Sequence, residues 1–284
     1  MSRPNKLIYY IIGLIIIAGL LLFFIFSDQN QGLKVFFLDV GQGDAILIQA
    51  PGNIDVLIDA GPGNKVIADL DKHLPFWNRE IELMILTHPH SDHIQGLTEV
   101  LKRYKVDKVI GYKLDYSAPD YLEWLKIIEE KNIPFIKTVS GDQFNLGDNI
   151  YLETLYPLED ITGQEFDNLN LTSIVAELHE GSYSYLFTGD SPAEVEKEMM
   201  SADLIRSVDV LKVGHHGSKY SSALPFLEKL SPAYAVIQVG KNNSFGHPHL
   251  ITLQRLKKLG ARILRNDLDG EIACEVQEKE VVCQ

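Results

Sequence analysis

Residues 7–26 hold no charged side chain, whereas beyond residue 32 the apolar positions break into short blocks separated by polar turns. The first run matches the roughly 20 residues that cross the hydrocarbon core of a bilayer. It is longer than the apolar centre of about 7–15 residues of a cleaved leader. It also ends in Phe23-Phe24-Ile25-Phe26-Ser27-Asp28, which offers no small-residue cleavage site. The pattern therefore predicts one retained transmembrane helix, with residues 1–6 as a tail and 27–32 as a polar, glycine-ended linker. Arg3 and Lys6 precede the run and Asp28 follows it, so the positive-inside rule puts the tail in the cytoplasm and residues 33–284 outside.

Strands are predicted at 33–38 and 45–48, on either side of the tight Gly41-Gln42-Gly43-Asp44 turn, and at 56–58 before Asp59-Ala60-Gly61-Pro62-Gly63. A short helix follows over 65–74, a strand over 81–86, a helix from Ile94 to Tyr104 and a strand over 105–110. Leu122, Leu125, Ile127 and Ile128 give residues 119–131 helical spacing, with Trp124 expected in packing rather than at a ligand. In the second half, strands at 150–155, 173–178, 183–188, 208–213 and 233–239 are expected, with helices at 193–201, 222–230 and 251–260. Two or three strands close the chain. Strands interleaved with helices in both halves predict one layered α/β domain over 33–284, without an internal repeat.

The chemistry concentrates at strand ends. Thr87-His88-Pro89-His90-Ser91-Asp92-His93 places three histidines and an aspartate on the loop leaving an apolar strand. Neutral imidazoles and carboxylates at such spacing converge on metal ions. Asp59, Asp190 and His215-His216 also sit just past predicted strands. Asp190 alone could cap the helix that follows, but its company favours a ligand. The chain carries a net −13, and residues 1–31 contribute a net +1, leaving −14 on the outer domain. Strong DNA binding by that domain alone is not expected, although bound divalent ions would make the site locally positive. Cys274 and Cys283 would face each other across a hairpin turning at Glu278-Lys279. Outside the membrane they could form a disulfide, or they could be two small buried side chains.

These residues resemble the metallo-β-lactamase superfamily, whose hallmark is His-x-His-x-Asp-His. The branch most similar is the hydrolase domain of ComEC-type competence proteins. The matching segments, in order, are 37–45, 57–61, 86–97, 170–175, 186–190, 211–218 with Ser221-Ser222, and 243–248. The resemblance implies a four-layer αβ/βα sandwich holding two divalent metal ions. By it, His88 and His90 bind one metal, Asp92 and His93 bind the other, and Asp190 bridges. One of His215 and His216 completes the second site while the other contacts substrate. Asp59 supports the metal loop, and Asp44 shares that task or braces its turn.

One departure stands out. Many members supply a third histidine to the first metal, and here the only histidine in that interval is His179, expected to be exposed beside the Glu180-Gly181 turn. The ComEC branch has an Asn-x-x-Ser pattern instead, matched by Asn170 and Ser173, so the first metal is expected to be weakly held. Zinc suits this donor set better than manganese, which remains the alternative. Asp92 or Asp190 would orient a nucleophilic water. His247 would contact a phosphate or protonate the leaving group, with plain loop polarity as the alternative for it and His249. Gly217 and Ser218 would offer backbone N–H groups to an anion if a helix starts there.

The reading is a single-pass hydrolase of the bacterial cell membrane acting on phosphodiesters, with DNA at the cell surface as a candidate. A single helix makes no pore, so a role in DNA uptake would need a separate competence channel protein. Two alternatives stay open: cleavage of a cell-envelope phosphodiester of the teichoic acid type, and a non-catalytic DNA-guiding module with a degenerate metal site.

Overall fold

In the computed structural model, residues 6–28, 32–75 and 77–284 are described. The expected tail at 1–6 and linker at 27–32 lie largely outside them. The backbone from Lys6 to Asp28 is one 23-residue helix, α1. Its side chains are described without a break only over 9–19. Among the described residues no helix is long and apolar enough to cross a membrane.

The first half continues with β1 (Lys34–Phe37), β2 (Ile46–Ala50), β3 (Ile54–Ile58), α2 (Lys65–His73), β4 (Glu80–Ile81) and β5 (Leu83–Ile85). Then come α3 (Ser91–Arg103), β6 (Lys105–Val106), β7 (Val109–Ile110), α4 (Pro119–Glu130) and β8 (Phe135–Ile136). The second half has β9 (Gln143–Gly147), β10 (Ile150–Tyr156), β11 (Val175–Glu180), β12 (Tyr183–Phe187), α5 (Ala193–Ser201) and β13 (Val210–Lys212). It ends with α6 (Leu224–Leu230), β14 (Tyr234–Ile237), α7 (Leu250–Lys258), β15 (Arg262–Arg265), α8 (Asn266–Asp269), β16 (Ile272–Gln277) and β17 (Glu280–Cys283).

Two mixed sheets result, ordered β17-β16-β1-β2-β3-β5-β7-β8 and β15-β14-β13-β12-β11-β10-β9. Alternation along the second sheet shows how they stack. Tyr185 and Phe187 of β12 join the core shared with the first sheet, while Leu186 between them joins a separate core under α5, α6 and α7. Val210 against Leu211, and Val236 against Ala235 and Ile237, repeat the pattern. Period-two side chains bury both faces at once. Phe37 of the first sheet meets Phe187 of the second with ring centroids 6.2 Å apart. Apolar residues of α2, α3 and α4, including a fully buried Trp124, pack into the first core. The order is helix, sheet, sheet, helix.

Two expected strands are each split. Residues 81–86 divide because the Glu82 carboxylate accepts the Asp55 N–H at 2.7 Å. Residues 80–81 then pair with 105–106 in a separate two-stranded sheet, which also divides the 105–110 strand. His179 is half-buried rather than exposed, stacked on Tyr151 at 4.5 Å. The closing hairpin aligns Cys274 with Cys283, and the two form a disulfide.

β3, β5, β7 and β8 are parallel, as are β12, β13, β14 and β15. Loops leaving the carboxyl ends of such strands gather at one edge of a sandwich, where sites are built. β1 runs antiparallel to β2, and β2 to β3. Lys34, where the chain enters the domain, therefore lies at the edge opposite those loops.

The helix α3 is seated by backbone contact. Gly96 N–H donates to Gly61 O and Ala60 N–H to His93 O, both at 2.9 Å. A Cβ on Gly96 would lie 2.0 Å from Ala60 O, which nothing flexible can relieve. Gly96→Ala is expected to cost about 1–3 kcal/mol by overpacking, read as a lowered midpoint in thermal unfolding. An unchanged midpoint would mean that the helix can shift freely.

Candidate metal centre

Asp59 ends β3 in a left-handed conformation (φ 52°) that aspartate tolerates better than most residues. Its buried carboxylate accepts from Thr87 N at 2.8 Å and from Thr87 Oγ1 at 2.6 Å. It also lies 2.7 Å from His93 Nδ1. Pro89 biases His88 toward extended backbone. α3 then starts at Ser91 with Asp92 in its first turn, where a carboxylate suits the helix dipole. His88 and His90 thus project from an extended loop, and Asp92 and His93 from the helix start.

The second sheet supplies the rest. Asp190 follows β12, and His215 and His216 follow β13 in a tight turn, both with positive φ (49° and 52°). Asp190 Oδ2 lies 3.9 Å from His88 Nε2, 3.5 Å from His93 Nε2, 3.5 Å from His216 Nε2 and 3.7 Å from His215 Nε2. His216 Nε2 is 3.3 Å from Asp92 Oδ2. Two donor groups follow, His88–His90–Asp190 and Asp92–His93–His216, each with ligand atoms within 4.8 Å of one another. Asp44, His93 and Asp190 form a further close group.

Of the paired histidines, the geometry puts His216 with Asp92 and His93. Its Nδ1–H donates to Gln238 O at 2.9 Å, which aims Nε2 at the centre. His215 is more open to the cleft, its Nδ1 3.3 Å from the Asn170 amide. Asn170 and Ser173 are both buried at the same junction, and Asn170 Oδ1 and Ser173 Oγ have no hydrogen-bond partner. His179 lies at the far end of β11 beside Glu153 and Glu177, 3.7 and 3.8 Å away, so it adds nothing to the centre. No helix begins at Gly217 or Ser218. The next starts at Leu224, and Ser218 N–H is turned inward to His215 O at 2.8 Å. The condition for an anion site on that helix start is therefore not met.

His93 Nε2, His216 Nε2, Asp190 Oδ1 and Asp44 Oδ1 are also buried without hydrogen-bond partners. Such atoms cost about 1–3 kcal/mol each when left unpaired, and native proteins tolerate few of them. Their convergence, with imidazole and carboxylate as the donor types, fits divalent metal ions. Charge points the same way. Burial would lower the His216 pKa, but Asp190 and Asp44 outweigh it and push it up to about 10. Burial and the neighbouring His93 hold His88 well below the usual histidine range, with Asp190 only partly opposing them. Burial, then His215 and His216, push His247 down to about 4.

Lys212 of β13 is the residue that sequence reasoning missed. It is fully buried, pairs with the Asp44 carboxylate, and donates to Gly189 O at 2.8 Å. Its ammonium also stands 3.9 Å from Asp190 Oδ1. The signal was a lone cation inside an apolar strand, three residues before His215. Asp44 itself is held between Lys212 and His216 Nδ1, which is 3.3 Å away. It braces the centre from behind.

Asp59→Asn keeps the shape and removes a charged acceptor shared by Thr87 and His93. Metal affinity is expected to fall about 10–100-fold, as for other partners of ligating histidines. Competition with a chromophoric chelator measures this, and unchanged affinity would reduce Asp59 to a loop brace.

Residues 38–241 match the family described as the metallo-beta-lactamase superfamily. ComE operon protein 3 of Bacillus subtilis is 32% identical over 88% of this chain and 34% of its own length. Recombination protein 2 of Haemophilus influenzae is 30% identical over 84% and 28%, and competence protein ComA of Neisseria gonorrhoeae 29% over 82% and 31%. The chain thus spans about a third of the length of these curated relatives. Among solved structures, CmlA, a diiron β-hydroxylase from Streptomyces venezuelae, superposes with a TM-score of 0.57 at 14% identity, over 87% of this chain and 54% of that one. YhfI, a metallo-beta-lactamase fold protein from Bacillus subtilis, gives 0.52 at 14% identity, over 83% and 97%. The motif set, the stacked mixed sheets and the histidine–aspartate centre agree with these matches: the chain belongs to the metallo-beta-lactamase superfamily and is similar to the hydrolase domain of ComEC-type competence proteins.

Proposed function

We propose that this chain is a membrane-anchored, metal-dependent hydrolase of phosphodiesters, with DNA at the cell surface as its substrate. The observation that carries the hydrolase reading is the position of Asp190 Oδ2, 3.5–3.9 Å from four imidazole nitrogens drawn from both sheets. That is the arrangement of a carboxylate shared between two metal sites. His88, His90 and Asp190 would hold one ion, and Asp92, His93, His216 and Asp190 the other. Zinc suits these donors, with manganese the alternative. Bound divalent ions would supply Lewis acidity, which makes a nucleophilic water available near neutral pH and offsets charge on a phosphoryl oxygen.

The side chains divide the remaining work. Asp92 stays ionised beside His93 and His216, despite burial, and its cleft-facing position lets it orient a water. His215 borders the same cleft, tied to Asn170, and is placed to contact a phosphoryl oxygen. His247 lies 5.4 Å from His215, centroid to centroid. With its pKa near 4 it is neutral at physiological pH, which favours a hydrogen bond to the phosphate over protonation of a leaving group. The cleft encloses about 360 Å³ and is lined by polar side chains together with Pro89, Tyr116, Ala118 and Phe245, room for a diester with its flanking groups. The groups His88–His90–Asp190 and Asp92–His93–His216 are both brought together, the first without a third histidine, and their convergence weighs against a non-catalytic module with a decayed site.

The competence relatives favour DNA over an envelope polymer. The full chain, with zinc or manganese, is expected to hydrolyse bis-p-nitrophenyl phosphate and a single-stranded oligonucleotide. Chelation or Asp190→Ala should lower both rates at least about a thousandfold, in line with the loss of an essential catalytic group. Full activity in Asp190→Ala would sink the two-metal mechanism.

The anchor rests on residues 7–26, which carry no charge. A helix of 23 residues is about 34 Å long, enough for a hydrocarbon core. Its described side chains are largely exposed, Tyr9 by 62% and Leu14 by 67%. The chain is expected to stay in the membrane fraction after carbonate washing and to be digested by protease added outside spheroplasts. Release by carbonate, or protection from protease, would overturn the anchor or its orientation.

A further inference from the structure

Between residues 229 and 266 the chain carries seven lysines and arginines and no aspartate or glutamate, in a protein of net charge −13. The loop Gly214–Ala223 likewise holds no acid and adds Lys219. These two segments meet on one rim of the metal cleft: Lys219 N–H donates to His249 Nδ1 at 3.3 Å, and His249 N–H to Gly217 O at 3.0 Å. Several cations of this stretch are already paired, as Lys258 is with Glu228 and Lys229 with Asp203. Lys219, Lys241 and Lys257 have no carboxylate partner among the described residues.

The same rim carries a series of rings. Phe245, 63% exposed, lies stacked on His247 at 5.9 Å, and His247 lies 4.9 Å from His249. Tyr220, 67% exposed, follows with the Lys219 ammonium over its ring at 5.0 Å. The loop that presents Phe245 is pinned rather than loose. Asn243 Nδ2 donates to Gly240 O at 3.1 Å and His247 O at 2.7 Å, while its Oδ1 accepts from Phe245 N at 3.2 Å and His247 N at 3.0 Å. An exposed phenylalanine on a fixed loop loses apolar hydration only when something flat covers it. Phe245 and His247 open directly onto the cleft that holds Asp92 and Asp190.

We propose that Phe245, His247, His249 and Tyr220, with Lys219 and Lys241, form a track for a single strand of nucleic acid that feeds one phosphodiester at a time to the metal centre. The inference rests on the phosphodiesterase reading and names its substrate class. Ring faces stack unpaired bases regardless of sequence, and the ammonium groups of Lys219 and Lys241 hold the phosphates. A duplex hides its base faces and cannot use the rings. An envelope polyol phosphate offers charge but no base to stack. The lysines of this rim without carboxylate partners among the described residues give a strongly acidic protein a local foothold for a polyanionic substrate.

The test is binding of the full chain in detergent to a fluorescent 12-nucleotide strand, followed by anisotropy in EDTA so that the strand is not consumed. A strand of equal length and charge with abasic residues, and the matching duplex, are the comparison ligands. The intact strand is expected to bind at least about tenfold tighter than either. Phe245→Ala and Tyr220→Ala should each weaken it by about tenfold, with Phe245→Trp restoring affinity. Both side chains are exposed, so the fold should survive the changes, and circular dichroism checks that it does. Equal binding of the abasic strand or duplex, or affinity within twofold of wild type in both alanine variants, would overturn the track. Failure to cleave bis-p-nitrophenyl phosphate under metal would overturn the phosphodiesterase reading instead, whatever the strand does. Cleavage of that small diester without any strand binding would leave the hydrolase standing and remove the track.

Discussion

Carboxylates buried where two sheets meet must be neutralised, and the architecture of this domain follows from how that is done. Asp44, Asp59 and Asp190 are all almost inaccessible to water. Asp59 is satisfied by Thr87 and His93, while Asp44 pairs with Lys212 through one oxygen and leaves the other without a hydrogen-bond partner, 3.3 Å from His216 Nδ1. Asp190 is left facing a ring of imidazoles with one oxygen unpaired. Each link joins different strands, so the charges fix the register of the two sheets as well as the centre. Removing one partner of such a buried set costs several kcal/mol because the other is stranded. The metal centre and the packing of the sandwich are therefore one problem with one solution. Lys212 closes the back of it, its amino group against Asp44 and 2.8 Å from Gly189 O.

The parts of this arrangement that depend on near neighbours could be read from the chain. The 88–93 cluster is contiguous, α5 was expected at its observed bounds, and the facing of Cys274 and Cys283 follows from hairpin geometry. Periodicity could not reveal the split of 81–86, because an apolar run does not say which sheet each half joins. Glu82 makes that decision through a bond to Asp55, 27 residues earlier. β8 and β9 were missed for a similar reason: one is two residues long, and the other is largely exposed at a sheet edge. Lys212 read as an interruption in an apolar strand until Asp44, 168 positions before it, came into contact. The choice between His215 and His216 was also closed to sequence, since it rests on the carbonyl of Gln238.

The departure at the first metal position now has a physical setting. Where many relatives are expected to place a histidine, this chain buries Asn170 and Ser173 with unpaired oxygens beside Thr87 and Gly189. Asn170 also reaches His215, which ties down a residue of the cleft wall.

The direction in which the chain enters the domain has one more consequence. β1 begins at the edge opposite the metal loops and runs toward them. Only three residues, 29–31, separate the end of α1 from Gly32, a reach of about 13 Å even when fully extended. Were α1 embedded in a bilayer as proposed, the entry edge would be tethered close to the lipid and the cleft would open on the far side of the sandwich. Headgroups would then be poorly placed as substrates, while a strand arriving from the wall or medium would meet the catalytic mouth before it reached the membrane. With that anchor, the topology of a single β-strand would set the polarity of approach.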